Sequence, residues 1–305
     1  MLSLNVNNET NRLKTVVIGL AKDFGGTPLL EEAFDPTSKK HISNNTYPIE
    51  RNLINELSQL KSILKKHNVK VLTPKNLKGY NQIFTRDVGF VIDDYFIKSS
   101  LIKNRQKEIE GFTDILSLIN KPKIINLPKN TFIEGGDVMP HNNYIFIGTC
   151  KKNYFNNFQV CRTNIKGIDF LTDFFPKKQI KAFELIKSDT DPEKSALHLD
   201  CCLQPIGVNN AIICKDAFIN KNDVKWLESY FGNENLINIS LKEMALMYSN
   251  VFSISNKTVI SEKSFVRLNT ILKEKEFEIE EVSYKEVSKM GGLLRCSTLP
   301  LERIK

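Results

Sequence analysis

Four times along this chain, two β-rich runs are separated by a pair of turn-forming residues. The stretches are "VGFVIDDYFIKSS" around Asp93-Asp94, "DVMPHNNYIFIGT" around Asn142-Asn143, "LQPIGVNNAIICK" around Asn209-Asn210, and "NVFSISNKTVIS" around Asn256-Lys257. This is the spacing of tight hairpins, whose turns need the positive φ that Asn and Asp tolerate. Helical patterns lie between them: "RTNIKGIDFLTDFF", "KNDVKWLESYF" and "KSFVRLNTILKEK". The clearest helix is earlier, "PIERNLINELSQLKSILKKHN", where Ile49, Leu53, Ile54, Leu57, Leu60, Ile63 and Leu64 keep an apolar stripe at helical spacing and lead into the strand "VKVLTP". The chain therefore reads as hairpin, helix, strand, repeated, with a first copy begun by "RLKTVVIGL". Units of this kind cannot bury their faces alone and close around an axis. We expect one α/β domain, residues 1–305, of about five units, with an open α/β sheet as the alternative.

Composition narrows the function. No stretch approaches the roughly 18 consecutive apolar residues of a membrane span, and "MLSLNVNNETNRLK" has no basic flank leading into an apolar signal core, so a cytoplasmic protein without a membrane partner is expected. The six cysteines, Cys150, Cys161, Cys201, Cys202, Cys214 and Cys296, follow no zinc-ribbon or redox spacing and read as free thiols. The net charge of +8 (43 − 35) raises nucleic acid as a partner, yet only eight of the 43 basic residues are arginines and the lysines are scattered. A solvated lysine surface, with no nucleic-acid partner, is the better reading. A homo-oligomer is allowed. Residues 21–48, rich in Gly, Pro, Ser and Asn, form a loop long enough to be a lid or mere decoration.

Polar residues recur just before each hairpin. Asp87 stands in "FTRDVGF", Glu134 and Asp137 in "IEGGDVM", His198 and Asp200 in "LHLDCC", and Asn250 ahead of the fourth turn. Units arranged about an axis would bring these positions together, and Cys296, in "GGLLRCSTLPLERIK", would join them. Asp87 interrupts an apolar run, where a carboxylate is costly unless paired or used. "EGGD" suits a backbone approached closely by a ligand. The alternation in "ALHLDC" places His198 and Asp200 on one face of a strand. A thiol beside an imidazole is the arrangement of covalent catalysis. Several carboxylates around it describe a planar cation with many N–H donors, held as carboxylates hold guanidinium. The substrate class that follows is a small-molecule guanidino compound, and no metal motif is visible.

These four motifs, in this order and with the cysteine last, resemble the guanidino-group-modifying superfamily of pentein fold: arginine deiminases, amidinotransferases, agmatine deiminases and dimethylarginine dimethylaminohydrolases. The resemblance runs from about Arg12 to the C-terminus and implies a five-bladed α/β propeller of ββαβ units around a central active site. It implies Cys296 as nucleophile, His198 as general acid/base and Glu134 as the carboxylate orienting the histidine. Asp87 and Asp200 would grip the guanidinium edges. Arg295, directly before the cysteine, resembles the arginine deiminases and would help bind a substrate carboxylate. Arg162, in "RTN", resembles the dimethylarginine hydrolases and would supply a second carboxylate contact. Asp137 is placed with the substrate-binding residues, and Gly291 and Gly292 would leave room for substrate beside the thiol.

The chemistry implied is hydrolysis of a guanidino C–N bond, arginine-like to citrulline-like, through a covalent thiouronium on Cys296 and with no cofactor. Amidino transfer to an amine, dimethylarginine hydrolysis and a catalytically silent guanidino-binding protein are the alternatives. A free thiol, with pKa about 8.5, is a few per cent ionised at neutral pH. Arg295 and the bound cation would both promote the thiolate.

Overall fold

The computed structural model describes residues 1–304, apart from the side chain of Lys152. Strand β1 (Arg12–Ile18) pairs in parallel with β2 (Lys70–Leu72) after a crossover through the helix Glu50–Lys66. The next four units each place a hairpin before the crossover: β3 (Gly89–Ile92), β4 (Tyr95–Lys98) and β5 (Ile124–Asn126); β6 (Val138–His141), β7 (Tyr144–Thr149) and β8 (Gln179–Glu184); β9 (Leu203–Ile206), β10 (Asn210–Ile213) and β11 (Leu236–Asn238); β12 (Phe252–Ser253), β13 (Thr258–Glu262) and β14 (Glu278–Val282). In every unit the first two strands are antiparallel and the third runs parallel to the second. The last strand, β15 (Thr298–Ile304), returns to pair antiparallel with β1 and supplies the first unit's missing hairpin partner. The result is five three-stranded blades of ββαβ type, the α/β propeller expected.

Local chemistry explains the blades. Asp93 and Asn142 take positive φ, 52° and 56°, at the first two hairpin turns, as their residue types allow. The third turn differs from the sequence reading: Ile206 pairs with Asn210, so Gly207–Asn209 make the loop and Gly207 carries the positive φ of 62°. Three of the four later crossovers are the helices read from sequence, Ile165–Phe174, Lys221–Phe231 and Val266–Glu274. The second unit instead crosses through a 3-10 stretch, Lys103–Phe112, that runs into the short helix Thr113–Ser117, whose charged sequence carries no clear stripe.

Apolar cores fill the gaps between neighbouring blades. Val17, Leu299 and Leu301 of the first meet Val88, Val91 and Phe96 of the second. Phe90, Ile92 and Ile97 of the second meet Val138, Ile145 and Ile147 of the third. The first crossover helix buries Leu53, Leu57, Leu60 and Leu64, whereas Ile49 caps the helix in solvent and Ile54 is 37% exposed. Leu60→Ala is expected to cost about 2–5 kcal/mol in urea unfolding, through lost burial and a residual cavity. Ile54→Ala, on the wet side of the same helix, is expected to stay within about 1 kcal/mol. Equal losses at both positions would contradict this orientation of the helix.

Candidate active site

A short helical turn precedes the first strand of several hairpins, and these turns are tied to one another around the axis. Arg86 N donates to Cys296 O (3.0 Å) and Arg295 N to Asn250 O (3.3 Å). Asn250 Nδ2 donates to Asp200 O (3.3 Å), and Leu199 N to Asp137 Oδ1 (3.0 Å). The ring closes where Gly135 packs on Arg86: a Cβ there would lie 2.1 Å from the Arg86 carbonyl oxygen. The polar residues before the hairpins therefore converge.

His198 and Asp200 reach this ring by a route the sequence reading missed. They do not share a strand face. His198 is the extended residue before a 3-10 turn, Leu199–Cys201, closed by Cys201 N donating to His198 O, and β9 starts only at Leu203. The imidazole is buried, with Nε2 2.9 Å from Glu134 Oε2 and Nδ1 3.6 Å from Asp87 Oδ1. Burial alone would lower its pKa, but Asp87 and Glu134 outweigh that and hold it up to about 9. It is an imidazolium at neutral pH. Glu134 is held down to about 2, against the opposing pull of burial, by Arg162 and His198.

Cys296 sits in the turn before β15, 3% exposed. Its Sγ lies 3.2 Å from Asn250 Nδ2 and 3.5 Å from Asp200 Oδ2, and its amide donates to Asn250 Oδ1 (3.1 Å). Burial, then the carboxylates of Asp200 and Asp87, push the thiol well above its ordinary range. The free site therefore holds a neutral thiol and, on the same axis, an imidazolium. Asp87 Oδ2 accepts from Arg105 Nη1 (2.7 Å), while its Oδ1 is buried without a hydrogen-bond partner among the described residues. An unpaired buried carboxylate oxygen requires an explanation, and a cationic ligand supplies one. Arg86, the sequence neighbour of Asp87, turns to a different carboxylate: its Nη1 faces Glu9 at 3.5 Å.

Three expected substrate contacts are corrected by the geometry. Arg295 is fully buried and spends its five N–H donors on Glu9, Asp200 and the Gly136 and Val138 carbonyls, leaving none for a substrate carboxylate. Asp137 uses both oxygens locally, accepting from Leu199 N and from Thr163 Oγ1 (2.7 Å), and so fixes the turn that carries Asp200. Gly291 and Gly292 do not face open space: a Cβ at Gly291 would lie 2.5 Å from Asp35 Oδ1, and one at Gly292 2.5 Å from Phe84 Cε1. Arg162 does reach the site, where Nη1 donates to both oxygens of Glu134 (3.2 Å each) and Nη2 to Phe34 O (3.2 Å).

Sequence reasoning passed over Arg105, Glu108, Phe34 and Glu9. Arg105 grips Glu108 bidentately (2.8 and 2.9 Å) as well as Asp87, inside a run whose charges look like a solvated helix. The Phe34 ring lies 5.8 Å from the Arg105 guanidinium carbon and 5.5 Å from that of Arg162. A cavity of about 540 Å³ lies on the Arg105 side, with Phe34, Asp35 and Glu108 in its wall, and one of about 430 Å³ on the Arg162 side, with Glu134 and Phe158. Residues 21–48 contribute to the wall of the first cavity, in part through the short helices Leu30–Glu32 and Pro36–Ser43. Asp87, Glu134 and His198 also offer ligand atoms within 4.8 Å of one another. Buried Arg105 and Arg162 already hold the two carboxylates, so a metal dication there would face two adjacent guanidiniums, and the set fits a metal poorly.

Five ββαβ blades with a thiol, an imidazole and carboxylates on their axis define the pentein class of cysteine-dependent, guanidino-modifying enzymes. Residues 30–303 match the family described as N,N dimethylarginine dimethylhydrolase, eukaryotic, and the chain belongs to that family. The uncharacterized protein YkgA of Bacillus subtilis (strain 168) is 29% identical over 278 residues, covering 90% of this chain and 88% of YkgA. Among solved structures, the N-terminal domain of ArgZ, an arginine dihydrolase from the ornithine-ammonia cycle in cyanobacteria, superposes with a TM-score of 0.79 at 18% identity, over 96% of this chain and 98% of that domain. SxtG, an amidinotransferase from Microseira wollei in the saxitoxin biosynthetic pathway, gives 0.77 at 19% identity over 99% and 98%. At such identities these two likenesses concern the fold.

Gly136 makes the histidine's position possible. A Cβ there would lie 2.5 Å from His198 Nδ1, so Gly136→Ala must push the imidazole away from Glu134 and Asp87. We expect kcat to fall about 10²-fold while the thermal unfolding midpoint changes little. Unchanged kcat would contradict the imidazole placement.

Proposed function

We propose that this protein hydrolyses the guanidino group of an arginine-like amino acid, free or N-methylated, to a citrulline-type product with release of ammonia or a methylamine. The observation that carries the reading is the buried, unpartnered Asp87 Oδ1 facing His198, on an axis shared with Asp200 and the Cys296 thiol. A planar guanidinium pairs with Asp87 and Asp200 at its edges and presents its carbon to Sγ. Its arrival brings positive charge against the thiol and offsets the carboxylates that keep the proton on sulfur, so that proton passes to solvent. Thiolate addition then forms an S–C bond. His198, already protonated, gives its proton to the leaving nitrogen as the C–N bond breaks, and an S-linked thiouronium remains on Cys296. The neutral imidazole next takes a proton from water, whose oxygen attacks the same carbon and expels the thiolate, and the thiolate recovers its proton from the hydroxyl of the departing ureido product. Residues 1–305 act in this reading as one catalytic unit.

The amino-acid end of the substrate is supported by the two buried guanidiniums beside Phe34. Arg105 and Arg162 line the two cavities beside the carboxylates they hold, and the N–H donors they do not spend there would meet a substrate carboxylate. Residues 21–48, Phe34 among them, wall the cavity on the Arg105 side, and in this reading that segment lifts as substrate enters.

Arginine and asymmetric dimethylarginine, each with and without glycine as acceptor, provide the test, with products read by mass spectrometry. Citrulline formed without acceptor is expected from at least one of the two. Cys296→Ala should lose about 10⁴-fold or more in turnover, and Asp87→Asn roughly 10- to 100-fold in kcat/KM through loss of a charge-assisted contact. Product that requires glycine, or turnover that survives in Cys296→Ala, would overturn the proposal.

The pH dependence follows from His198. Its pKa is raised from 6.5 to about 9, so the proton needed by the leaving group is present below that value and lost above it. The value of kcat/KM, which reports the free enzyme, should stay high through neutral pH and fall as pH rises through about 9. A profile still rising beyond pH 10 would contradict this role for the imidazolium.

A further inference from the structure

Glu9 touches none of the groups assigned to the reaction, yet it is buried on the same axis. The N-terminal segment delivers it. Asn5 bridges to Glu302, Val6 to Asp93 and Asn8 to His141, so this segment runs across the ends of the β3–β4 and β6–β7 hairpins and along the closing strand. Asn8 Nδ2 also bonds Asn142 Oδ1 (3.1 Å), and Asn142 N bonds Asn7 O (2.9 Å). Glu9 then turns inward, 1% exposed, and its two oxygens accept from Arg295 Nη2 (3.0 Å) and Nε (3.3 Å).

From there the contacts run without interruption to the sulfur. Arg295 Nη1 donates to Asp200 Oδ2 (2.9 Å), and the same oxygen lies 3.5 Å from Cys296 Sγ. The cluster holds three cations, Arg86, Arg295 and Arg303, against Glu9 and Asp200. Arg86 Nη2 and Arg303 Nε are buried without hydrogen-bond partners among the described residues, so the cations are under-compensated even with both acids present. His141 also faces Glu9. The thiol itself faces Asp200, Asp87, Cys201 and Tyr284. Removing the Glu9 charge therefore leaves Arg295 and Arg86 to draw on Asp200 alone, and through it on the sulfur.

We infer that Glu9 is a positioning residue that sets the charge of the thiol site through Arg295 and keeps Asp200 available to a guanidinium. The inference rests on the reading of Cys296 as the nucleophile. Glu9 neither touches the substrate nor moves a proton. It balances the charge of Arg295, which otherwise would bear on Asp200 and the sulfur alone, ionise the thiol before substrate arrives and repel a cationic substrate.

The test uses no substrate, so its failure is distinct from a failure of the proposed reaction. The rate of alkylation at Cys296 by iodoacetamide is measured at pH 8 by peptide mass spectrometry, and follows the thiolate fraction. Glu9→Gln, similar in shape but neutral, is expected to raise the rate about tenfold, and Arg86→Gln to lower it by a similar factor. The double variant, with the cluster's net charge restored, should return to within about twofold of the parent. Loosened packing alone would move both single variants in the same direction, toward faster reaction. An unchanged or slower rate in Glu9→Gln, or a faster one in Arg86→Gln, overturns the inference. If Glu9→Gln fails to fold because its arginines are left unpaired, Arg86→Gln and the double variant decide by the same signs.

Discussion

Ring closure is the constraint on which the rest of the molecule depends. Each hairpin delivers its polar residue to the axis only if its neighbours on both sides are in place, and the last neighbour is made by β15 returning to β1. The first unit has no hairpin within its own stretch of chain. It borrows one from the C-terminus, so the strand that completes the fold follows the turn that carries Cys296. Folding and assembly of the site are thereby one event, because the amide and carbonyl beside the sulfur are engaged by Asn250 and Arg86 of other blades.

Burial gives the axis its chemistry and also its cost. Isolated charges at such depth would be prohibitive, and nearly all of them are paired: Glu134 with Arg162 and His198, Asp87 and Glu108 with Arg105, Glu9 and Asp200 with Arg295. The same pairing orders the protons. Carboxylates crowd the imidazole and keep it charged, and two of them keep the nearby thiol neutral. The free site thus waits with its acid loaded and its nucleophile masked. A cation of guanidinium shape changes both conditions by occupying the one carboxylate oxygen of Asp87 that has no hydrogen-bond partner among the described residues.

Much of this was legible before any coordinates. Hairpin spacing and turn chemistry placed the repeat, since Asp93 and Asn142 take the φ that the residue types suggested. The recurrence of Asp87, Glu134, His198, Asp200 and Cys296 before strands pointed to an axis. Side-chain direction was not legible. His198 and Asp200 looked like one face of a strand, but a 3-10 turn intervenes because Cys201 N bonds back to the His198 carbonyl. Arg295 looked like a ligand contact because it adjoins the cysteine, whereas its donors are taken by Glu9, 286 positions earlier in the chain. Glu9 and Arg105 sit in polar runs, "NNETN" and "KNRQKE", that read as solvated surface. Only tertiary closure buries them.

The central claim is that the thiol before the last strand carries the substrate carbon during turnover. Acid quenching of the enzyme in the presence of arginine or dimethylarginine, followed by peptide mass spectrometry, tests it most directly. The account predicts an amidino adduct on the peptide containing Cys296 and on none of the peptides containing Cys150, Cys161, Cys201, Cys202 or Cys214. Product formation with an unmodified Cys296 in every quenched sample, or an adduct carried by another cysteine, would contradict it.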